Sequence, residues 1–296
     1  MALSKKLLWG LTIVLPVTLV AVTYVGLSRK IEKLNQAETR ARAKDVAELS
    51  RAAAAAGKTD KGFPGHGYTE LYERFLWQWR DEPIRIFEIG IADGGSLRMW
   101  QRYFTRATVY GVDIKDKRKF ETARAKTCIA DQTNREQLRK CLDEFGGQFD
   151  LVIDDGGHGM RHQQVSLGFV FPYVRPGGFY SIEDLHTSMP NIYPGFDVEP
   201  DEGNTTLNMI FKYIKSAPGK FESKYMLPDE IKYLDAQVES MALSFANNQG
   251  HSMMCIFKKR GPPPRFGDKV PSPNKVNDPA HQPTPTRTTT GTYLLR

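Results

Sequence analysis

The sequence has few cysteines and lacks the spacings that cysteine-based sites require. Its 296 residues include three cysteines, Cys128, Cys141 and Cys255, and no two of them have CxxC spacing. An odd number cannot close a complete disulfide framework, which argues against a small disulfide-stapled secreted domain. We therefore expect three reduced thiols and a catalytic part in a reducing compartment.

Two nucleotide-related patterns are also missing. The stretch "AAAAAGKT", residues 52–59, has Ala52 where a phosphate-binding loop needs glycine, and no strand precedes it. No Tyr-x-x-x-Lys pair occurs in the chain, which disfavours one large class of NAD(P)-linked oxidoreductases. The net charge is +7, but the excess lies mainly outside the middle of the chain. That distribution favours a membrane surface or a solvated tail over a nucleic-acid groove.

The first uncharged run, residues 7–27, predicts a transmembrane anchor after a short N-terminal segment, residues 1–6. A cleaved signal sequence is the alternative, but the apolar run is long and the following residues offer only a weak cleavage site. Lysines and arginines crowd the segment after this run. By the positive-inside rule we expect a single-pass membrane protein with a cytoplasmic catalytic domain.

The remaining chain divides by composition. Residues 28–56 are rich in Ala, Glu, Lys and Arg and predict a solvated helical spacer. Residues 57–260 form the predicted catalytic domain. Residues 261–296, rich in Pro and Thr, have too few apolar side chains to fold and predict a disordered tail.

Within the catalytic domain, strand and helix patterns alternate, which indicates βαβ units and a parallel sheet. The predicted parallel strands are "IRIFEIG", "ATVYGVDI", "KTCIAD", "FDLVIDD" and "FYSIED". A helix is expected to end at "RPGG", directly before the fifth strand. Two late segments, "VESMALSF" and "HSMMCIF", predict an antiparallel hairpin at one edge of the sheet.

The end of the first strand indicates a cofactor site. Gly90 and its neighbours allow the backbone to turn sharply towards a ligand. Asp113 ends the next strand, where a carboxylate can bind a ribose, and Asp131 after the third strand could meet an adenine amino group. Glu88 is an acid where phosphate would be unwelcome. The pattern therefore favours S-adenosylmethionine, which carries no phosphate, over NAD.

Two further strand ends carry paired acids, Asp154–Asp155 and Glu183–Asp184. Four carboxylates at one edge of a sheet repel one another unless a cation is present, and oxygen ligands suit Mg²⁺, Mn²⁺ or Ca²⁺. The alternative is that some of these acids cap the following helices. We expect Asp154 to be structural and the other three to be metal ligands.

Three histidines lie close to these acids. His158 follows the fourth strand and is predicted to be a general base, although a lone histidine is more often structural. His162 lies four residues later, where a packing role on the next helix is favoured. His186 is either a support for the acids or a substrate contact.

The stretch at residues 59–76, with Lys61, His66 and Tyr68, precedes the first strand. One interpretation is a helix and its lead-in packed on the sheet. The other is a lid over the cofactor, in which Tyr68 contacts it.

Taken together, "TDK…HGYTELYE", "FEIGIADGGSLRMW", "VYGVDI", "FDLVIDDGGH" and "RPGGFYSIEDLHTS" resemble the class I methyltransferases that methylate sugar hydroxyls of macrolide antibiotics, the mycinamicin 2''-O-methyltransferase group. The cephalosporin hydroxylase-like proteins are a more distant resemblance. The resemblance implies a Rossmann-like α/β fold with a mainly parallel seven-stranded sheet and an antiparallel edge hairpin. It also implies Mg²⁺ at Asp155, Glu183 and Asp184, with His158 as the base. The implied cofactor contacts include Glu88, Ser96, Asp113, Asp131 and Gln132.

We therefore predict a metal-dependent transfer of a methyl group from S-adenosylmethionine to a hydroxyl of a sugar or glycoconjugate. A membrane glycan or glycolipid is a candidate acceptor because of the predicted anchor, and a homo-oligomer is compatible with the sequence. The alternatives are an NAD(P)-linked oxidoreductase and a non-catalytic, membrane-tethered binding module. Residues 189–228, where acceptor specificity should lie, match no pattern.

Overall fold

The computed structural model describes residues 48–189, 204–217, 219–245, 252–262 and 266. The predicted anchor at 7–27, most of the spacer and nearly all of the predicted tail lie outside these ranges. Among the residues that are described, no helix is both long and apolar enough to cross a bilayer.

A seven-stranded sheet forms the centre of the described chain, with strand order β3-β2-β1-β4-β5-β7-β6. The strands are β1 Arg85–Ile89, β2 Thr108–Asp113, β3 Ala125–Ile129, β4 Phe149–Asp154, β5 Val174–Ile182, β6 Val238–Phe245 and β7 Met253–Lys259. Pairs among β1 to β5 are parallel, whereas β7 pairs antiparallel with both β5 and β6. The predicted sheet and its antiparallel edge hairpin are confirmed.

Helices cover both faces of this sheet. They are α1 over the described residues 48–56, α2 Tyr68–Leu76, α3 Gly95–Tyr103, α4 Arg135–Phe145, α5 Met160–Val170, α6 Thr206–Lys215 and α7 Pro228–Gln237. Successive residues of one strand serve opposite faces: Ile86 packs with the side chains of α1 to α3, and Phe87 packs with those of α4 and α5. Burial on both faces favours apolar side chains in the central strands, such as Ile86, Phe87 and Ile89 of β1.

Three predictions about these elements are wrong. Leu49, Ala52 and Ala53 of α1 are buried against the sheet, so the end of the predicted spacer is part of the core rather than solvated. The helix before β5 ends at Val170, not at "RPGG", because a short 3₁₀ turn containing Pro172 follows it. The "RPGG" residues lie inside β5.

The third correction concerns the thiols. Cys128 of β3 and Cys141 of α4 form a disulfide, with Cα atoms 5.8 Å apart. Cys255 alone is free, and it is buried in β7. The helix that follows β3 folds back beside that strand and brings together two cysteines that the sequence spacing does not pair.

Candidate active site

A cavity of about 630 Å³ opens at the carboxyl ends of the first four strands. Ligands bind at this edge of open α/β sheets because successive loops diverge there. The lining includes five of the predicted cofactor residues, Gly90, Ser96, Asp113, Asp131 and Gln132. It also includes Asp155, His158 and Asp184, so the predicted cofactor pocket and the predicted metal site are continuous.

Gly90 lets the β1 and β4 loops approach closely. Its φ is +90°, and a Cβ at this position would lie 2.0 Å from the carbonyl oxygen of Asp155. The Asp155 amide in turn donates to the carbonyl of Ile89 at 2.9 Å. Only glycine fits there, and the fit places Asp155 beside the end of the cofactor cavity.

Two of the predicted nucleoside-binding acids also organise their own loops. Asp113 Oδ2 accepts hydrogen bonds from the amides of Ile91 and Ala92 at 3.1 and 3.2 Å, which fixes the glycine-rich turn. Asp131 Oδ1 accepts from the amide and the hydroxyl of Thr133 at 2.8 and 2.9 Å. Both carboxylates remain on the cavity wall, where the sequence placed them.

Glu88 and Tyr68, also predicted to contact the cofactor, do not line this cavity. Glu88 is fully buried and accepts a hydrogen bond from the Ser96 hydroxyl at 2.9 Å. Burial raises its pKa to about 7. The Tyr68 hydroxyl donates to Asp184 Oδ1 at 2.7 Å. In the structure these two side chains support the wall and the acidic edge rather than facing the open space.

Asp154 has the structural role that the sequence suggested. Its carboxylate is buried and accepts hydrogen bonds from the hydroxyl of Ser166 and from the Gln132 amide nitrogen, the latter at 3.1 Å. Gln132 Oε1 accepts from the Gly157 amide at 2.6 Å. Asp154 and Gln132 therefore hold the loop that carries His158.

Asp155, His158 and Asp184 converge at the end of the cavity. One ligand atom from each of them lies within 4.8 Å of the others, and His158 Nε2 is 3.5 Å from Asp184 Oδ2. Both His158 and Asp184 have a φ of +55°, a conformation that is uncommon outside glycine and that is often found at functional sites. The two carboxylates at this separation fit a divalent cation, and the His158 imidazole lies beside them.

Glu183, the third predicted ligand, is held by Tyr72 and Lys61 instead. Its Oε1 accepts from the Tyr72 hydroxyl at 2.5 Å and its Oε2 lies 2.7 Å from Lys61 Nζ. Burial raises the pKa of Glu183 well above its usual range and also raises that of Asp155. Burial would raise the pKa of Asp184 too, but the nearby His158 and His66 hold it below its usual value. The cluster as a whole therefore favours binding of positive charge.

Sequence reasoning missed the cation that the protein itself provides. Lys61 is fully buried, and its ammonium lies 2.5 Å from Asp155 Oδ2 and 3.6 Å from Glu88 Oε1, in addition to its contact with Glu183. Burial alone would lower the pKa of Lys61, but the carboxylates of Asp155, Glu183 and Glu88 raise it well above its usual range. The available signal was the surplus of acids, which requires a buried cation, together with a lysine in the loop just before the sheet.

The stretch at residues 59–76, which was open to two interpretations, is a helix and its lead-in packed on the sheet. Its helix α2 packs on the sheet through Tyr72 and Leu76, while Lys58, Thr59 and Asp60 of the lead-in line the cavity. The lead-in is thus a wall of the pocket, carried by a helix that belongs to the core.

The other histidines surround the acidic edge. His66 stacks on His186 with ring centroids 5.5 Å apart, and each places a ring nitrogen within 3.9 Å of Asp184 Oδ1. His66, Asp184 and His186 form a second group whose ligand atoms lie within 4.8 Å of one another. His162 lies on α5 against Gly157 and also reaches the cavity wall, so it is nearer to the site than a purely packing role requires.

Comparisons with curated proteins give relatives of one kind. The chain is 41% identical over 152 residues to demethylmacrocin O-methyltransferase of Streptomyces fradiae, a match that covers 49% of this chain and 38% of that enzyme. It is 40% identical over 155 residues to mycinamicin VI 2''-O-methyltransferase of Micromonospora griseorubida, again over 49% and 38% of the two chains. The matched part therefore spans about two fifths of these relatives. No family model matches the chain.

A solved structure agrees with these sequence matches. The MycE methyltransferase from the mycinamycin biosynthetic pathway, in complex with Mg, SAH and mycinamycin VI, superposes with a TM-score of 0.58. The identity is 30%, over 72% of this chain and 55% of that one. The resemblance inferred from the motifs is confirmed, and the fold is the Rossmann-like methyltransferase fold.

Proposed function

We propose that the chain is a Mg²⁺-dependent, S-adenosylmethionine-dependent O-methyltransferase whose acceptor is a hydroxyl of a sugar or glycoconjugate. The observation that carries this proposal is the continuity of one cavity from Asp113 and Asp131 to Asp155, His158 and Asp184. It provides adjacent sites for a nucleoside, a divalent ion and an acceptor hydroxyl. The relatives, named as sugar or macrolide O-methyltransferases, and the Mg- and SAH-bound neighbour support the same reaction.

The residues divide the chemistry among them. Asp113 and Asp131 lie where they can bind the ribose and the adenine, and Asp155 and Asp184 would hold the metal. When bound, S-adenosylmethionine supplies an electrophilic methyl group and Mg²⁺ lowers the pKa of a hydroxyl that it contacts. His158 would take the proton of the acceptor hydroxyl while the hydroxyl oxygen forms the O–CH₃ bond. The S–CH₃ bond of the cofactor would break in the same step, leaving S-adenosylhomocysteine. The Asp184 carboxylate, 3.5 Å from His158 Nε2, stabilises the resulting imidazolium.

The direct test is methyl transfer from S-adenosylmethionine to a panel of glycosides. Activity should disappear with a chelator and return with Mg²⁺, and Asp155→Asn should lower the rate at least about 100-fold because a charge-stabilising ligand is lost. Asp143→Asn, at an exposed position of α4, is the matched control and should retain the rate. Calorimetry with S-adenosylmethionine and with NADH gives a second readout. Binding of NADH alone would replace this proposal with the oxidoreductase alternative.

The place of the reaction in the cell remains a prediction from residues outside the described ranges. If residues 7–27 anchor the protein as their composition predicts, a membrane-associated glycan becomes a natural acceptor. The positive-inside rule would place the catalytic part on the cytoplasmic side, whereas the Cys128–Cys141 disulfide favours an oxidising compartment.

A further inference from the structure

Lys61 is enclosed by acids on every side that the sheet presents to it. Its ammonium is within 3.6 Å of carboxylate oxygens of three residues, Glu88, Asp155 and Glu183, and its side chain is 1% exposed. A buried charge is costly unless it is paired, and so is each of these carboxylates. The lysine and the acids therefore depend on one another to remain inside the protein.

The geometry divides the carboxylates between two cations. Asp155 Oδ2 and Glu183 Oε2 lie against Lys61 Nζ at 2.5 and 2.7 Å. Asp184 is not among the acids paired with Lys61, and it forms the group with Asp155 and His158 instead. Asp155 is thus shared, with the lysine on one side and the proposed metal position on the other.

The loop that carries Lys61 is also fixed at the cofactor cavity. Lys58, Thr59 and Asp60 line that cavity, and the Lys58 carbonyl lies so close to Gly95 that a Cβ there would be 2.0 Å away. Farther along the loop, the Thr69 amide donates to the Lys61 carbonyl at 3.1 Å. A change in how Lys61 is held would therefore be transmitted to the cofactor wall.

We propose that Lys61 is a resident counter-ion of the catalytic carboxylates. It takes the place of a second divalent cation, holds Asp155 and Glu183 in position, and limits the site to one metal ion, at Asp155 and Asp184. The inference rests on the proposed function for the identity of that ion, Mg²⁺. Its consequence is that a divalent cation should substitute for the ammonium when the lysine is removed.

The test is metal rescue of Lys61→Met in the full chain, with Lys140→Met as the matched control. Lys140 lies on α4, is largely exposed and pairs with the exposed Glu136. Without divalent cation, Lys61→Met should lower the melting temperature by about 10 °C because it leaves buried acids uncompensated. About 10 mM MgCl₂ should recover most of this loss, whereas NaCl at equal ionic strength should not.

Calorimetric titration with MgCl₂ gives an independent readout. Lys61→Met should bind Mg²⁺ at least about tenfold more tightly than the wild type, since a like charge next to the ion is gone. S-adenosylmethionine should bind more weakly to Lys61→Met without Mg²⁺ and recover when Mg²⁺ is added. Lys140→Met should match the wild type in melting temperature and in Mg²⁺ affinity.

Three results would overturn the inference. The first is an equal effect of Mg²⁺ on the melting temperatures of the wild type and Lys61→Met. The second is a Mg²⁺ affinity of Lys61→Met that is the same as or weaker than that of the wild type. The third is the same melting temperature and Mg²⁺ affinity in both lysine variants. If Lys61→Met fails to fold even with Mg²⁺, the double variant Lys61→Met/Glu183→Gln removes one charge of each sign. A folded double variant supports the counter-ion role, and an unfolded one rejects it in favour of packing.

Failure of the proposed function would show itself differently. Melting temperatures and Mg²⁺ titrations need no methyl acceptor, so metal rescue can be seen in a chain that transfers no methyl group. The converse result is methyl transfer that depends on Mg²⁺ while Mg²⁺ fails to rescue Lys61→Met. That result would support the methyltransferase function and reject the counter-ion role of Lys61.

Discussion

His158 combines three properties of a catalytic base in one residue. It lies on the cavity wall, its imidazole is paired with the Asp184 carboxylate at 3.5 Å, and its backbone adopts a left-handed conformation with φ +55°. The Thr187 hydroxyl also donates to the His158 carbonyl at 2.9 Å, so the loop is held from the neighbouring strand end. A backbone in an uncommon conformation that is fixed by its neighbours indicates a position required for function.

Replacing His158 with alanine should therefore lower the rate constant for methyl transfer by about 10²- to 10⁴-fold, the usual contribution of a positioned base. The affinity for S-adenosylmethionine, measured by calorimetry, should stay within about twofold because the nucleoside-binding acids are untouched. His162→Ala is the matched control, since His162 also reaches the wall but lies against Gly157 on α5. A His158→Ala enzyme with the full rate would exclude the base assignment.

At the scale of single residues, the sequence predicted the chemical character of the candidate site better than the contacts of its side chains. The surplus of acids at two strand ends predicted positive charge beside them, and the Lys61 ammonium lies there. Asp154, predicted to be structural, is held by Ser166 and Gln132. The sequence could not show that the first available cation is Lys61, because that contact joins residues 94 and 122 positions apart. Nor could it show that Glu88 faces inward to Ser96, which depends on how α3 packs on β1.

The elements were predictable where local signals agree. Helix α4 begins after Asn134, whose side chain accepts from the amides of Glu136 and Gln137, and it ends at the left-handed Gly146. The parallel strands were visible because burial on both faces makes them continuous apolar runs. The end of α5 was not predictable, because "RPGG" resembles a helix stop. Its glycines instead lie within β5, whose pairing with β4 shifts register.

The disulfide between β3 and α4 was not predicted, because the cysteine count suggested three reduced thiols. It should have a measurable effect on stability. Cys128 and Cys141 are separated by 13 residues, and closing a loop of this size stabilises a protein by about 3 kcal/mol through the unfolded chain. Dithiothreitol should therefore lower the free energy of unfolding, measured by urea denaturation, by roughly this amount.

Cys255→Ala provides the control for that experiment, since Cys255 is free and buried. Its own stability will differ from the wild type, but the loss caused by dithiothreitol should be the same. Identical urea midpoints with and without dithiothreitol, at a stage when a thiol assay shows the disulfide to be reduced, would contradict the prediction.

In the whole molecule, packing of the sheet buries strands whose ends carry charged side chains. Strands β1, β4 and β5 are buried on both faces, yet their ends carry Glu88, Asp155, Glu183 and Asp184. Folding removes these acids from water, and within the described part of the chain the ammonium paired with Glu88, Asp155 and Glu183 is that of Lys61. The divalent ion proposed above would offset the remaining negative charge, and without it the stability of the protein should depend on pH.

Glu88 lets this dependence be measured through global unfolding. Burial raises its pKa from 4.5 in the unfolded chain to about 7 in the folded protein. Between these values Glu88 is more protonated in the folded state than in the unfolded state, so its contribution to stability is greatest at low pH and falls as the pH rises towards 7. The total loss is roughly 3 kcal/mol, because one pKa unit corresponds to about 1.4 kcal/mol.

Glu88→Gln should remove this part of the pH dependence. The free energy of unfolding of Glu88→Gln, relative to that of the wild type, should therefore rise by about that amount between about pH 5 and pH 8. Urea denaturation at each pH in the absence of divalent cation measures it, and Glu70→Gln at an exposed position of α2 controls for loss of a surface carboxylate. Parallel curves for the wild type and Glu88→Gln across this range would show that Glu88 is already ionised at low pH in the folded protein, held by Lys61.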